Sequence, residues 1–215
     1  MEISEGLKLE PQKGRVVEIP DVGRDNLPKF LAENGFLKGA EIGVYKGEYT
    51  EKLLDAGLQV YGVDPYLAFD DYDMPNRDFQ GRQDELFQML LQKLVPRYPK
   101  FTPVRKYSMD AVKDFDKGGL DFVYIDGHHG FKYVAEDLWE WSKIVRPGGI
   151  MAGHDYAYHA EQANDPCIIQ VRYALDAWIE IHNIQPLYIL GRRYSDPGEI
   201  RDKWRSWMYI NPVRK

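Results

Sequence analysis

The chain has 215 residues, enough for one ordinary domain with a substantial core. Its net charge of −6 leaves no basic footprint for nucleic acid, and 44% apolar with 29% charged residues is the balance of a soluble globular protein. A single cysteine, Cys167, excludes an internal disulfide or a multi-cysteine zinc site, and no apolar run approaches the ~20 residues that span a bilayer.

Residues 1–23, punctuated by Pro11 and Pro20, read as a polar N-terminal arm, and 24–215 as one domain. A first helix is expected from Asn26 to Asn34, with Pro28 in its first turn and Gly35 as its stop. AEIGV (40–44) is a short apolar strand that breaks at glycine, KGEYTEKLLDAG a helix ending at Gly57, and LQVYGVDP a second strand closed by Asp64 and Pro65. Residues 66–98 form an insertion: an aperiodic, Asp- and aromatic-rich loop to residue 81, then a helix with Leu86, Leu90 and Leu94 at i, i+4 and i+8.

FTPVRKY is a third strand, MDAVKDF a short helix and LDFVYID a fourth strand. FKYVAEDLWEWSKIV is an amphipathic helix with Val134, Leu138, Trp141 and Val145 on its buried face, and GGIMAGHD a fifth strand. IIQVRYALDAWIEIH is helical, and PLYIL and RSWMYI are two last strands. The alternation predicts an α/β fold: a Rossmann-like, seven-stranded, mostly parallel sheet with helices on both faces. Two successive strands at the end predict an antiparallel C-terminal edge strand.

Two places concentrate chemistry. At the first strand's end, Gly43 and Gly47 bracket a turn into a helix, and Asp64 follows Gly43 by 21 residues. Glycine permits a sharp turn and close ligand approach, and a carboxylate after the second strand is where such sheets hold ribose hydroxyls. The Gly-x-x-x-Gly spacing is not the dinucleotide-binding Gly-x-Gly-x-x-Gly. Glu41, acidic inside the strand, suits a ligand with an ammonium and a sulfonium, where phosphates would want positive charge; a glycine-rich turn with a solvated Glu is the plainer alternative.

At the ends of the fourth and fifth strands stand Asp126, His128, His129, His154 and Asp155. Two carboxylates from neighbouring strand ends suit Mg²⁺, while an imidazole can accept a proton near neutral pH. Asp155 also reads as a capping aspartate, His154 as a core histidine, His128 as a loop residue and Ser108 as a helix N-cap. His159 and His182 read as structural or surface residues.

The segments EIGVYKG, VD at 63–64, YSMDAV, YIDGHH, RPGGIMAGHDY and SWMYINP together resemble the class I S-adenosylmethionine-dependent methyltransferases, in particular the methyltransferase domain 24 family. The resemblance covers roughly residues 38–212, and its most specific part pairs IDG-x-H with PGG…GHD. It implies S-adenosyl-L-methionine as cofactor, with Glu41, Gly43 and Gly47 around its methionine part, Asp64 on the ribose, Ser108 and Met109 at the adenine, and Asp126 bordering cofactor and metal alike. Asp126 and Asp155 match the metal aspartates of metal-dependent relatives, and His129 falls where those relatives place their base. Here the neighbours of the second aspartate are His154 and Tyr156 rather than a third oxygen ligand; His154 as a ligand shifts preference from Mg²⁺ toward a transition metal.

The implied activity is O-methylation of a small-molecule or glycan hydroxyl. The expected catalytic set is His129, Asp126 and Asp155. Residues 66–81, the 156–166 loop and the arm form the expected acceptor wall, with Tyr66, Phe69, Tyr72, Phe79, Tyr156 and Tyr158 as candidate stacking rings. A cytoplasmic protein with no nucleic-acid or membrane partner is expected, with room for a homodimer. Two rivals are a nicotinamide-dependent oxidoreductase, which lacks its glycine signature here, and a non-catalytic cofactor-binding scaffold.

Overall fold

The computed structural model describes residues 1–9, 15–67, 80–158 and 169–212. Among these, α1 (Ile3–Gly6) and β1 (Val16–Ile19) lead through a 3-10 turn at Arg24–Asn26 into α2 (Leu27–Glu33). There follow β2 (Lys38–Ile42), α3 (Glu48–Asp55), β3 (Gln59–Val63), α4 (Gln80–Leu94), β4 (Phe101–Val104) and α5 (Ser108–Ala111). The remainder is β5 (Leu120–Ile125), α6 (Phe131–Ile144), β6 (Val145–Tyr156), α7 (Val171–Ile181), β7 (Leu187–Leu190) and β8 (Arg205–Ile210).

The strands form one sheet in the order β1-β7-β8-β6-β5-β2-β3-β4, all parallel except β8. The Rossmann-like reading holds, with two corrections of detail. The sheet has eight strands rather than seven, because VVEI of the supposed arm pairs with β7. Its Val17 and Ile19 are buried while alternate residues are half-exposed, the pattern of an edge strand with one apolar face. The antiparallel C-terminal strand is not an edge: β8 lies between β6 and β7. Arg205 to Tyr209 are all buried, so β8 presents side chains to both layers and needs a neighbour on each side.

Helices cover both faces because their apolar stripes match the sheet's. Val134, Leu138 and Trp141 of α6, with Leu175 and Trp178 of α7, pack on the face carrying Ile42, Val123, Ile125 and Met151. Tyr49 and Leu53 of α3 and Leu86, Leu90 and Leu94 of α4 cover the face of Val60, Phe122, Tyr124 and Met208. Each fully buried Leu or Ile contributes roughly 1.5–3 kcal/mol. The chain runs outward from β2 through β3 to β4 and from β5 through β6 the other way, so β2 and β5 flank the switch point, where open α/β sheets open a crevice for ligand.

Candidate active site

The crevice begins at Gly43. Its φ is +91°, and a Cβ there would fall 2.2 Å from the carbonyl oxygen of Asp126 on the neighbouring strand. No side chain fits. Around it the two strand ends are tied by bonds from Asp126 N–H to Ile42 O (2.8 Å) and from Gly43 N–H to Val63 O (2.8 Å). Asp64 braces the turn: its Oδ2 accepts from the amides of Val44 (3.1 Å) and Tyr45 (3.0 Å), and its Oδ1 from Tyr66 (2.9 Å).

A cleft of about 400 Å³ opens here, walled by Ile42, Val63, Pro65 and Met109 and carrying the polar groups of Asp64, Ser108, Asp126 and Asp137. That is within the size range of small-molecule sites. Ser108 is the first residue of α5 rather than its cap. Its hydroxyl donates to Asp137 Oδ1 and accepts from Trp141 Nε1–H (2.8 Å). Burial pushes the Asp137 carboxyl up to about 7, with the Ser108 bond working against the shift. At the opposite wall His128 lies against Tyr133, ring centroids 4.0 Å apart, and its Nδ1 accepts the Gly130 amide at 3.0 Å.

Asp126 is shared between this cleft and a cluster of titratable groups. Asp155 Oδ2 is 2.8 Å from His129 Nε2, and Asp155 Oδ1 is 3.1 Å from His154 Nδ1, which in turn is 4.0 Å from Asp126 Oδ1. Asp155 reaches both rings from a backbone φ of +62°, a left-handed conformation that Asp tolerates better than most residues. Burial opposes its ionisation, yet the two imidazole bonds outweigh that and hold its carboxyl well below the usual range. Asp126 moves the other way: burial raises it to about 6 against the pull of His154. Burial would lower His154, but the Asp155 bond and the charge of Asp126 raise it overall.

Asp126, His154 and Asp155 each offer a ligand atom within 4.8 Å of the others, and His154 Nε2 is buried without a hydrogen-bond partner. Two carboxylates and an imidazole fit a divalent cation, with the nitrogen favouring a transition metal over Mg²⁺. Arg24 stands against the same group, its Nη1 3.4 Å from Asp126 Oδ2 and its guanidinium 4.7 Å from the Tyr49 ring centroid.

Of the residues expected from sequence, Gly43, Asp64, Ser108, Met109 and Asp126 meet at the cleft, and His129, His154 and Asp155 join them through Asp126. Two do not line it. Glu41 is 1% exposed and faces α3, accepting from Thr50 Oγ1 at 2.5 Å; burial lifts its carboxyl to about 8, against the effect of that bond. It is neither solvated nor placed to touch a ligand in the cleft. Gly47 is a packing residue, since a Cβ there would lie 2.4 Å from Leu90 Cδ1. Tyr66 is buried, its hydroxyl donating to Tyr45 O (2.9 Å), and so walls no acceptor site. Phe69, Tyr72, Phe79 and His159 lie outside the described residues. His182 caps α7 on the surface against Trp178, as expected of a structural histidine.

Sequence reasoning missed Arg24 and Asp137. Arg24 had no signal, being an isolated cation in a segment without motif. Asp137 did: it interrupts the buried stripe of α6 between Val134, Leu138 and Trp141, and a carboxyl at such a position needs a partner or a ligand.

The sheet order, the crevice at its switch point and the bracing aspartate define a Rossmann-like methyltransferase fold. Residues 40–156 match the profile of the methyltransferase domain family, and the chain belongs to it; S-adenosylmethionine is that family's cofactor. The chain is 26% identical over 150 residues to an uncharacterized methyltransferase of Geobacillus kaustophilus, across 70% of this chain and 61% of that one. It thus spans less than two thirds of that relative's length.

Among solved structures, a putative caffeoyl-CoA O-methyltransferase from Staphylococcus aureus superposes with a TM-score of 0.60 at 11% identity, covering 86% of this chain and 81% of that one. An O-methyltransferase from Bacillus cereus in complex with SAH gives 0.55 at 15% identity, covering 86% and 79%. The N-methyltransferase NodS from Bradyrhizobium japonicum gives 0.56 at 14% identity, covering 88% and 94%. At these identities the likeness is one of fold. Among the described residues no helix is long and apolar enough to cross a membrane.

Proposed function

We propose that this protein transfers a methyl group from S-adenosylmethionine to a hydroxyl oxygen of a small molecule or sugar, with His129 as general base. The observation that carries the reading is the His129–Asp155 pair in the cluster that reaches the cleft through Asp126, which lines it. The cofactor supplies an electrophilic methyl carbon on a sulfonium. Asp64 offers the carboxylate for ribose hydroxyls, and Ser108, Met109 and Asp137 form the adenine end, where Asp137 can accept from an exocyclic amine.

The remaining chemistry belongs to the chain's own side chains. With Nε2–H donated to Asp155, the other ring nitrogen of His129, Nδ1, is the one that takes the acceptor's proton. Asp155 fixes the ring and stabilises the imidazolium that forms, as a buried carboxylate does in a Ser-His-Asp triad. Asp126, Asp155 and His154 would hold a divalent cation, which favours the ionised form of a bound hydroxyl. Positioning the oxygen within ~3–3.5 Å of the methyl carbon supplies much of the acceleration in such displacements.

An N-methylating relative shares the fold, so fold does not choose the acceptor atom. An imidazole base favours oxygen, because a neutral hydroxyl must lose its proton as it attacks, whereas an amine attacks with its own lone pair. The test is methyl transfer from labelled cofactor to a panel of phenols, glycosides and amines, with and without added Mn²⁺ or Mg²⁺. Hydroxyl acceptors turned over by wild type and not by His129→Ala are expected; turnover of amines alone, unaffected by that substitution, contradicts the proposal.

A further inference from the structure

Large apolar side chains on the surface of a soluble protein usually stand singly. On α6 and α7 four of them stand together. Phe131, Ala135 and Trp139 follow at i, i+4 and i+8 on α6, and Tyr173, Ala177 and Ile181 do the same on α7. That spacing lays each set along one side of its helix. Phe131 is 45%, Trp139 50%, Tyr173 44% and Ile181 77% exposed. The two helices lie side by side and point the same way. At their starts the Phe131 amide donates to Oε1 of Gln170, the residue before α7, at 2.8 Å; two turns on, Trp139 meets Trp178 edge to face with ring centroids 5.9 Å apart. The stripes therefore form one apolar patch, and none of its six side chains is among the described residues that wall the cofactor cleft.

Size and charge say what covers it. A side chain of this kind presents roughly 200 Å² in full, so these fractions leave on the order of 400 Å², about half of the ~800 Å² that each partner of a standard interface covers. That is the share of an apolar centre inside a polar rim. The charged residues of the two helices are nearly all engaged: Lys143 pairs with Glu140 (2.7 Å), Arg172 pairs with Asp176 (3.2 Å), and Glu136 and Asp137 wall the cofactor cleft. Lys132 is left exposed at the N-terminal end, and at the C-terminal end stands Glu180, its side chain 74% exposed although Arg15 is 3.6 Å away. A two-fold axis that sets this helix pair antiparallel to its copy puts Lys132 of each chain beside Glu180 of the other. It also opposes the helix dipoles and lays Phe131 and Tyr173 against Trp139 and Ile181. Such self-complementarity is what an isologous interface requires. The sheet's edges are poor rivals, since β1 and β4 have four residues each and β4 carries Pro103.

We infer that a second copy of this chain covers the patch, the two α6–α7 pairs packing antiparallel about a two-fold axis. Trp139 and Ile181 of each chain anchor the apolar centre, and the Lys132–Glu180 pairs fix the direction in which the copies meet. The inference does not depend on the proposed reaction.

The test is sedimentation velocity of the full chain from low- to high-micromolar concentration. A concentration-dependent rise to twice the mass of one chain is expected. Ile181→Glu places a charge at the most exposed of the four positions and should weaken association at least about tenfold. Its thermal midpoint reports whether it folds; if it does not, Tyr173→Glu takes its place with the same expectation. Lys132→Glu and Glu180→Lys should each weaken association by about threefold or more, and the double reversal should recover most of that loss by restoring opposite charges across the axis. The inference is overturned if the wild-type chain stays monomeric throughout, which leaves the patch to a different partner. It is equally overturned if the folded glutamate variant associates as wild type does, or if the double reversal associates no better than the single ones.

Discussion

Asp155 holds two histidines at once, His129 through one carboxylate oxygen at 2.8 Å and His154 through the other at 3.1 Å. In the proposed reaction the pair that His129 forms is the one that cycles a proton, so its loss should be visible in rate rather than in binding. His129→Ala is expected to lower kcat by ~10²–10⁴, the range for a positioned general base. S-adenosylhomocysteine affinity, measured by calorimetry, should change less than about threefold, or under ~0.7 kcal/mol. An equal loss of both would remove His129 from the proton-transfer role.

Asp64 braces the Val44–Tyr45 turn through two backbone amides, accepts a third from Tyr66, and faces the cleft. Asp64→Asn keeps one acceptor oxygen but loses the charge, so cofactor affinity should fall by roughly ten- to a hundredfold, matching the ~1.5–3 kcal/mol of a charge-assisted bond. Turnover at saturating cofactor should be largely spared. Unchanged affinity would show that the carboxylate serves the turn alone.

Gly43 should tolerate no substitution. In Gly43→Ala the new methyl meets the Asp126 carbonyl at 2.2 Å and the residue must hold a φ of +91°. The strand ends must separate, breaking the bond from Asp126 N–H to Ile42 O. A destabilisation of about 2–4 kcal/mol is expected from a clash and backbone strain together, read from chemical denaturation. A variant as stable as wild type would mean that the crevice is more open in solution.

Glu41 makes stability depend on pH in a particular direction. Burial raises its carboxyl from 4.5 to about 8 in the folded protein, although the Thr50 hydroxyl partly offsets the shift. Below pH 4.5 it is protonated folded and unfolded alike and contributes no pH dependence. As pH rises from 4.5 to 8 the unfolded chain ionises while the folded one does not, so stability falls, and the loss levels off above 8. Glu41→Gln should remove that slope: its stability relative to wild type should rise between about pH 5 and pH 8 by on the order of a few kcal/mol. A pH-independent difference would place Glu41 in an ionised state.

The cation reading has its own check. Chelation should lower methyl transfer, and Mn²⁺ should restore it better than Mg²⁺ if His154 is a ligand. His154→Ala should weaken Mn²⁺ binding, followed by its paramagnetic signal, without altering cofactor affinity. Full activity in chelator would leave Arg24 as the cation facing Asp126.

The sequence alone settled the fold's grammar. Alternating apolar strands and 3.6-residue stripes fixed most elements, and the glycine break after β2 and the two acid-histidine clusters marked where chemistry lies, because these signals are local in the chain. What it could not settle was anything requiring a neighbour from elsewhere. That VVEI adds an eighth strand, and that β8 is inserted rather than at an edge, depends on which strand ends find unpaired partners. That Glu41 turns toward Thr50, that Gly47 makes room for Leu90, and that Arg24 reaches Asp126 across 102 positions are outcomes of packing. Periodicity says which face of an element is apolar; only the assembled layers decide what that face meets, and therefore which polar groups are left to act on a ligand.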